Sequence, residues 1–139
     1  MVDPKPARYA ILFHDAPRTP PRGRGPHYDW MFETPTDLET WATATLPQCG
    51  QTAVAADLLA PHRKHYLTYE GVVSGGRGTV RRVESGRYCL LASGASSRHF
   101  QLTPASNVRR GLQPEDAYCV LLERNAGAWS LRVSELPTR

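Results

Sequence analysis

The sequence predicts an all-β fold, a small closed or partly closed β-barrel with a short flanking helix or loops. Three observations carry that expectation. Short runs of alternating or continuous apolar residues recur at close spacing. Glycine and proline, 11 and 12 of the 139 residues, punctuate those runs as turns. No long stretch keeps the 3.6-residue period of an amphipathic helix. A sheet of many short strands gains by closing into a barrel or sandwich, because closure removes exposed edges.

Taken in order, residues 1–7 are proline-rich and polar and read as a loose tail. Residues 9–13 (YAILF) form a first strand, ending on His14 and Asp15. Residues 18–26 (RTPPRGRGP) are rich in arginine, proline and glycine, so they form a loop. Residues 27–33 (HYDWMFE) are the second strand, and after the turn 34–37 the run 38–43 (LETWAT) returns as its hairpin partner. Residues 54–59 (VAADLL) read as a short helix or as a mere connection, and 62–73 alternate as a strand. The glycine turn 74–78 leads into strand 79–83, and Ser85–Gly86 is a second turn before strand 87–92. Strands at 99–103, 117–122 and 128–133 complete the chain, the last two joined as a hairpin by residues 125–127 (NAG). There is no internal repeat, so residues 1–139 are expected to form one domain.

Composition narrows the function. Hydrophobic and charged fractions of 40% and 22% are those of an ordinary globular chain, and the formal charge of +4 mildly favours an anionic partner such as nucleic acid. Cys49, Cys89 and Cys119 are odd in number and form no CxxC pair. They read as reduced thiols used as small buried apolar residues. No apolar run reaches the roughly 18 residues of a membrane span, and the first residues do not begin a signal peptide, so a cytoplasmic protein with no membrane partner is expected.

The second strand is where chemistry concentrates. Period-two alternation puts Tyr28, Trp30 and Phe32 on one apolar face and His27, Asp29, Met31 and Glu33 on the other. An imidazole and a carboxylate two positions apart on one strand can reach one cation, and His14 closes the preceding strand. Two imidazoles and a carboxylate leave open positions for water or substrate, as a catalytic metal centre needs. The donors suit manganese, iron, cobalt or zinc. By spacing alone, H-x12-H-x-D reads more simply as polar residues at strand ends. His62 and Tyr66, at i and i+4 on the expected strand, share a face with Lys64 between them, and read equally as donors of hydrogen bonds or a proton to a phosphoryl oxygen or as a surface histidine and a packed tyrosine. His65 falls on the opposite face with Leu67 and Tyr69 and reads as structural. Residues 75–78 (GGRG) lack a following helix and a P-loop lysine, so they read as a turn rather than a phosphate cradle. Arg18, Arg22 and Arg24 either track a nucleic-acid backbone or are solvated.

These motifs, in this order, resemble the 3′-phosphoesterase domain of bacterial DNA ligase D. That family carries an H-D-x-S-x-x-H-Y-D-F-R-L-E block followed by S-W-A, matched by His14-Asp15, by residues 27–33 and by Thr40-Trp41-Ala42. Its second block, H-x-x-x-Y-x-x-F-E-G-V-I and then G-T-V, is matched by His62, Tyr66, residues 69–73 and residues 78–80. The match runs over residues 8 to 83. The resemblance implies a β-barrel with a divalent metal, Mn2+ first and Zn2+ or Co2+ next, bound by His14, His27 and Asp29. It implies removal of a 3′-ribonucleoside or 3′-phosphate, with catalytic roles for His62, Tyr66 and His14. The implied partners are DNA or DNA/RNA 3′ ends and a ligase or other end-joining protein. The family arginine two residues beyond the metal aspartate is Met31 here, its lysine after S-W-A aligns near Thr45, and its acidic residue before the second-block histidine is Ala60. Residues 18–26 are an insertion, and the glycine turn is shortened. Arg63 and Lys64 are the expected substrate-binding residues, and either of them or an arginine of the inserted loop is the expected replacement for the lost charge. The alternatives are an impaired module that binds nucleic-acid ends, or a phosphoesterase with a different substrate.

Overall fold

The structure, a computed structural model, describes residues 7–18, 24–106 and 116–136. They form an almost entirely β fold of nine strands: β1 (Ala7–Asp15), β2 (His27–Glu33), β3 (Leu38–Thr43), β4 (Val54–His62), β5 (Gly71–Val72), β6 (Thr79–Gly94), β7 (Ser97–Ser106), β8 (Tyr118–Asn125) and β9 (Ala128–Glu135). Every pairing is antiparallel, in the order β1-β2-β3-β4-β9-β8-β7-β6-β5, and β1 also pairs with β6. Eight strands therefore close into a ring, a partly closed barrel, with the short β5 added on β6. The expected fold class holds. No helix among the described residues is long and apolar enough to cross a membrane. The expected tail, residues 1–7, lies mostly outside the described residues, and Ala7 already belongs to β1.

The alternation of β1 and β2 creates two cores. Tyr9, Ile11, Trp30 and Phe32 face the ring interior, where they meet Trp41, Ala56, Val83, Phe100, Leu102, Val120, Leu122, Leu131 and Val133. Phe32 stacks on Phe100 with ring centroids 3.9 Å apart, and the buried Trp30 Nε1 donates to Thr43 Oγ1 at 2.9 Å. Ala10, Leu12 and Met31 face outward, where Leu38, Leu67, Val73 and Val80 cover them. A bulge between Ile11 and Leu12 on the β1–β6 ladder skips Val83, so Val83 and Glu84 both turn inward. Glu84 is buried and accepts hydrogen bonds from the hydroxyls of Tyr9, at 2.6 Å, and Tyr118. Burial, with these two neighbours, raises the Tyr9 phenol far above its usual range.

Four expectations are corrected. Residues 54–59 are neither helix nor connection but β4, because β3 and β9 supply ladders on both sides. Residues 62–73 are not one strand: β4 ends at His62, a 3-10 helix spans Lys64–Leu67, and β5 follows. The reason is packing. Tyr66, Leu67 and Tyr69 all reach the same outer cluster, which a strand presenting alternate residues to opposite faces cannot achieve. Ser85–Gly86 is not a turn but part of continuous β6, and Gly86 sits where β7 crowds in: a Cβ there would lie 2.2 Å from the Thr103 carbonyl oxygen. Of the cysteines only Cys119 is buried, while Cys49 and Cys89 are exposed in the β3–β4 connection and on the outer half of β6.

Glu33 fastens the end of β2. It accepts from Arg8 Nε at 3.0 Å and Nη2 at 2.7 Å, and Lys64 Nζ lies 3.6 Å away. The Arg8 hydrogen bond holds its carboxyl down at about 2, below the ordinary 4.5. A depressed carboxylate adds stability above its unfolded value and loses it as pH falls through the folded one. Glu33→Gln is therefore expected to flatten the acid limb of a denaturation series between about pH 4.5 and 2. For a surface pair the effect is at most about 1 kcal/mol.

Candidate metal centre

His14, at the end of β1, lies directly across the ladder from His27, at the start of β2, and Asp29 follows on the same outward face. The residues that alternate inward anchor these positions in the barrel interior, so the outward side chains are set by a rigid sheet. His14, His27 and Asp29 place one ligand atom each within 4.8 Å of one another. Asp29 is 1% exposed and His27 6%. Neither belongs so deep without a charged partner.

Each imidazole has one ring nitrogen committed to a backbone carbonyl. His14 Nε2 donates to Arg77 O at 2.7 Å, His27 Nδ1 to Gly25 O at 2.8 Å, and His62 Nδ1 to Ala60 O at 3.0 Å. A carbonyl only accepts, so each bond puts a proton on that nitrogen and, in the neutral ring, leaves the other as a lone pair. Those other nitrogens converge on one carboxylate. His27 Nε2 is 3.0 Å from Asp29 Oδ1, and His14 Nδ1 and His62 Nε2 are 3.6 and 3.8 Å from Oδ2. Asp29 Oδ1 is buried and makes no hydrogen bond among the described residues. Unprotonated nitrogens facing a carboxylate repel it, and a cation or a proton between them removes the conflict. The donor set, the fixed tautomers and the orphaned buried oxygen fit a divalent metal held by His14, His27 and Asp29.

A proton relieves the same conflict. Burial alone would raise the Asp29 carboxyl, but the His14 and His27 contacts and the neighbouring histidine charges bring it to about 2. Burial pulls the His14 imidazole down, yet the Asp29 contact and the Arg77 carbonyl outweigh it and leave His14 above its ordinary value.

His14 and Asp29 line a cavity of about 270 Å³ with Leu12, Ala60, Pro61, His62, Arg63, Tyr66, Val73, Arg77 and Val80. His62 and Tyr66 thus reach the site although no strand joins them, their rings 5.9 Å apart edge to face. Arg63 lines the cavity too. Lys64 does not: its ammonium bonds the Pro35 carbonyl at 3.1 Å beside Glu33. His65 packs against the rings of Tyr66 and Tyr69. Met31 is wholly buried in the outer apolar cluster beneath Leu67, one step along the strand face from Asp29. Thr45 and Ala60 are exposed. Of the inserted loop, Arg24 pairs with Asp57 at 2.5 Å and Arg18 is exposed, while Arg22 lies outside the described residues.

Sequence reasoning passed over Arg77, taken as part of a plain glycine turn. The turn is real, closed by Val73 N on Gly78 O at 2.8 Å, but it folds back onto the end of β1. Gly78 has φ +91°, and a Cβ there would stand 2.1 Å from Asp15 O. Gly78→Ala is expected to cost roughly 2–4 kcal/mol in denaturant unfolding and to weaken metal binding by displacing the carbonyl that holds His14. No family model matches this sequence, and no curated protein is significantly similar to it.

Proposed function

We propose that this protein is a metal-dependent phosphoesterase, Mn2+ being the first candidate metal, that acts on nucleic-acid 3′ ends and removes a 3′-phosphate or 3′-ribonucleoside in DNA end repair. The observation that carries the reading is the convergence of three tautomer-fixed imidazoles on the buried Asp29 carboxylate at the wall of a small cavity. The ordered motifs that resemble the ligase D 3′-phosphoesterase domain supply the substrate class.

His14, His27 and Asp29 would hold the metal, which when bound polarises a phosphoryl oxygen and offsets developing negative charge. The chain's own groups do the rest. The carbonyls of Arg77 and Gly25 orient the two histidine ligands. His62 keeps its Nδ1 proton on Ala60 O, so Nε2 is the atom that takes up a proton and, once protonated, passes it to the departing oxygen or stabilises its charge. Tyr66 stands beside His62 and supports the same step. Arg63 offers positive charge at the rim.

A labelled primer–template ending in a 3′-phosphate, and another ending in one 3′-ribonucleotide, tests this in the presence of Mn2+ with a chelator control. Metal-dependent loss of phosphate or shortening is the expected result. Mn2+ binding without product from either end overturns the assigned substrate. One observation favours that second reading: Met31 is sealed in an apolar cluster, so the family's arginine has no counterpart at that position. The site then serves another phosphoester or only binds ends. Mn2+ is also expected to raise the melting temperature by several degrees and EDTA to reverse it, since a ligand at a hundred times its dissociation constant adds about 2.7 kcal/mol.

A further inference from the structure

We infer that Arg77 is the phosphate-recognition residue of this cavity, a fork that grips the unesterified oxygens of a terminal phosphate and stands in for the arginine missing at position 31. The inference rests on the phosphoesterase reading for its ligand class, but its geometry is independent of the metal. Elimination comes first. Among the basic side chains near the site, Lys64 is spent on Pro35 O and Glu33, Arg24 on Asp57 and Arg8 on Glu33. Arg81 lies over the Phe13 ring, on the inward-facing side of the strands, and Arg82 donates to Leu67 O beside a different cavity. Arg63 and Arg77 line the cavity and pair with no carboxylate among the described residues.

Between these two, Arg77 is pre-organised. Its Nε donates to Ser74 O at 2.7 Å and its Nη2 to Ser74 Oγ at 3.2 Å, within the tight turn that Gly78 presses against β1. Those bonds hold the plane of the guanidinium and leave both N–H groups of Nη1 and one of Nη2 for a ligand. A planar donor fork fixed in advance matches two phosphate oxygens, and little side-chain freedom remains to be lost on binding. The same residue's carbonyl accepts from His14 Nε2, so one residue holds both a candidate metal ligand and the fork. Its charge also reaches the centre, where it opposes protonation of His14. Arg63, exposed and with no side-chain bond among the described residues, is left as the looser second contact. Leu12, Ala60, Pro61, Val73 and Val80 make the remainder of the wall largely apolar beside His62 and Tyr66.

The test is calorimetric titration of inorganic phosphate, and of a dinucleotide with and without a 3′-phosphate, into the full chain with and without Mn2+. Mn2+ affinity is measured separately by electron paramagnetic resonance. Arg77→Ala is expected to weaken phosphate about ten- to a hundredfold, as loss of a charged hydrogen-bond pair does. Because the substitution keeps the backbone carbonyl, Mn2+ affinity is expected to stay within about threefold. Arg77→Lys should fall between, since it retains charge without the fork. Arg124→Ala, which removes a charge lying over Trp129, should bind as wild type. The dinucleotide should bind only when it carries the 3′-phosphate. Phosphate binding by Arg77→Ala equal to wild type, or no phosphate binding by wild type in either condition, overturns the inference. Arg77-dependent phosphate binding with no Mn2+ uptake supports it and overturns the metal centre instead.

Discussion

Asp29→Asn is expected to abolish Mn2+ binding and leave a folded protein. Removal of a directly ligating carboxylate should exceed the 10- to 100-fold loss typical of outer-shell changes, so the Mn2+ resonance signal of bound ion should vanish at micromolar protein. The instructive part is stability. Three imidazole nitrogens face this carboxylate at 3.0, 3.6 and 3.8 Å, and its Oδ1 makes no hydrogen bond among the described residues. When the imidazoles are neutral this arrangement is a conflict, and an amide nitrogen in place of one oxygen would donate to a ring nitrogen instead. At pH 9, in chelator, the variant should lose no more than roughly 1 kcal/mol. Acid reverses the comparison. The raised His14 value adds stability that is present below the ordinary 6.5 and lost as pH climbs through the folded value. The lowered Asp29 value adds stability present above 3.8 and lost as pH falls through about 2. Wild type should therefore lead most between about pH 3.8 and 6.5. A difference independent of pH, or Mn2+ bound as before, would refute the role given to Asp29. That pH dependence, with stabilisation restored by Mn2+, would mark a site kept for its ligand rather than for stability.

Much of this centre was legible from one strand. Period-two alternation in residues 27–33 separates Trp30 and Phe32 from His27 and Asp29 whatever the partners are, and the observed cores divide along that line. Closure of the sheet was legible from the density of short strands. What could not be read was anything decided by contacts across the sheet. The weak apolar run 54–59 becomes β4 only because β3 and β9 flank it. Gly86 reads as a turn until the Thr103 carbonyl is seen against it. The sequence places His62 and Tyr66 on one strand, whereas they reach the site because a 3-10 helix carries Tyr66 and Leu67 to one cluster. Arg77 gives no local signal at all. Its place follows from β6 pairing Val80 with His14, which brings the turn before β6 beside the candidate metal ligands.

His62→Ala is the substitution that separates chemistry from metal binding. His62 is the third imidazole on Asp29, at 3.8 Å, yet it lies outside the group whose ligand atoms gather within 4.8 Å. That distinction gives it a different expected phenotype from its neighbours. His14→Ala and His27→Ala should lose metal and activity together. His62→Ala should keep Mn2+ affinity within about threefold while turnover of the 3′-phosphate substrate falls about 10²–10⁴-fold, the range of a missing acid–base group. The loss should sit in kcat rather than KM, because an interaction made as the bond breaks does not hold the ground state. Added imidazole should restore part of the rate, since the cavity that the ring vacates opens beside Arg63 and Tyr66. If His62→Ala loses Mn2+ as fully as His14→Ala does, His62 is a fourth ligand. Proton transfer would then have to come from Tyr66, the neighbouring ring on the same wall.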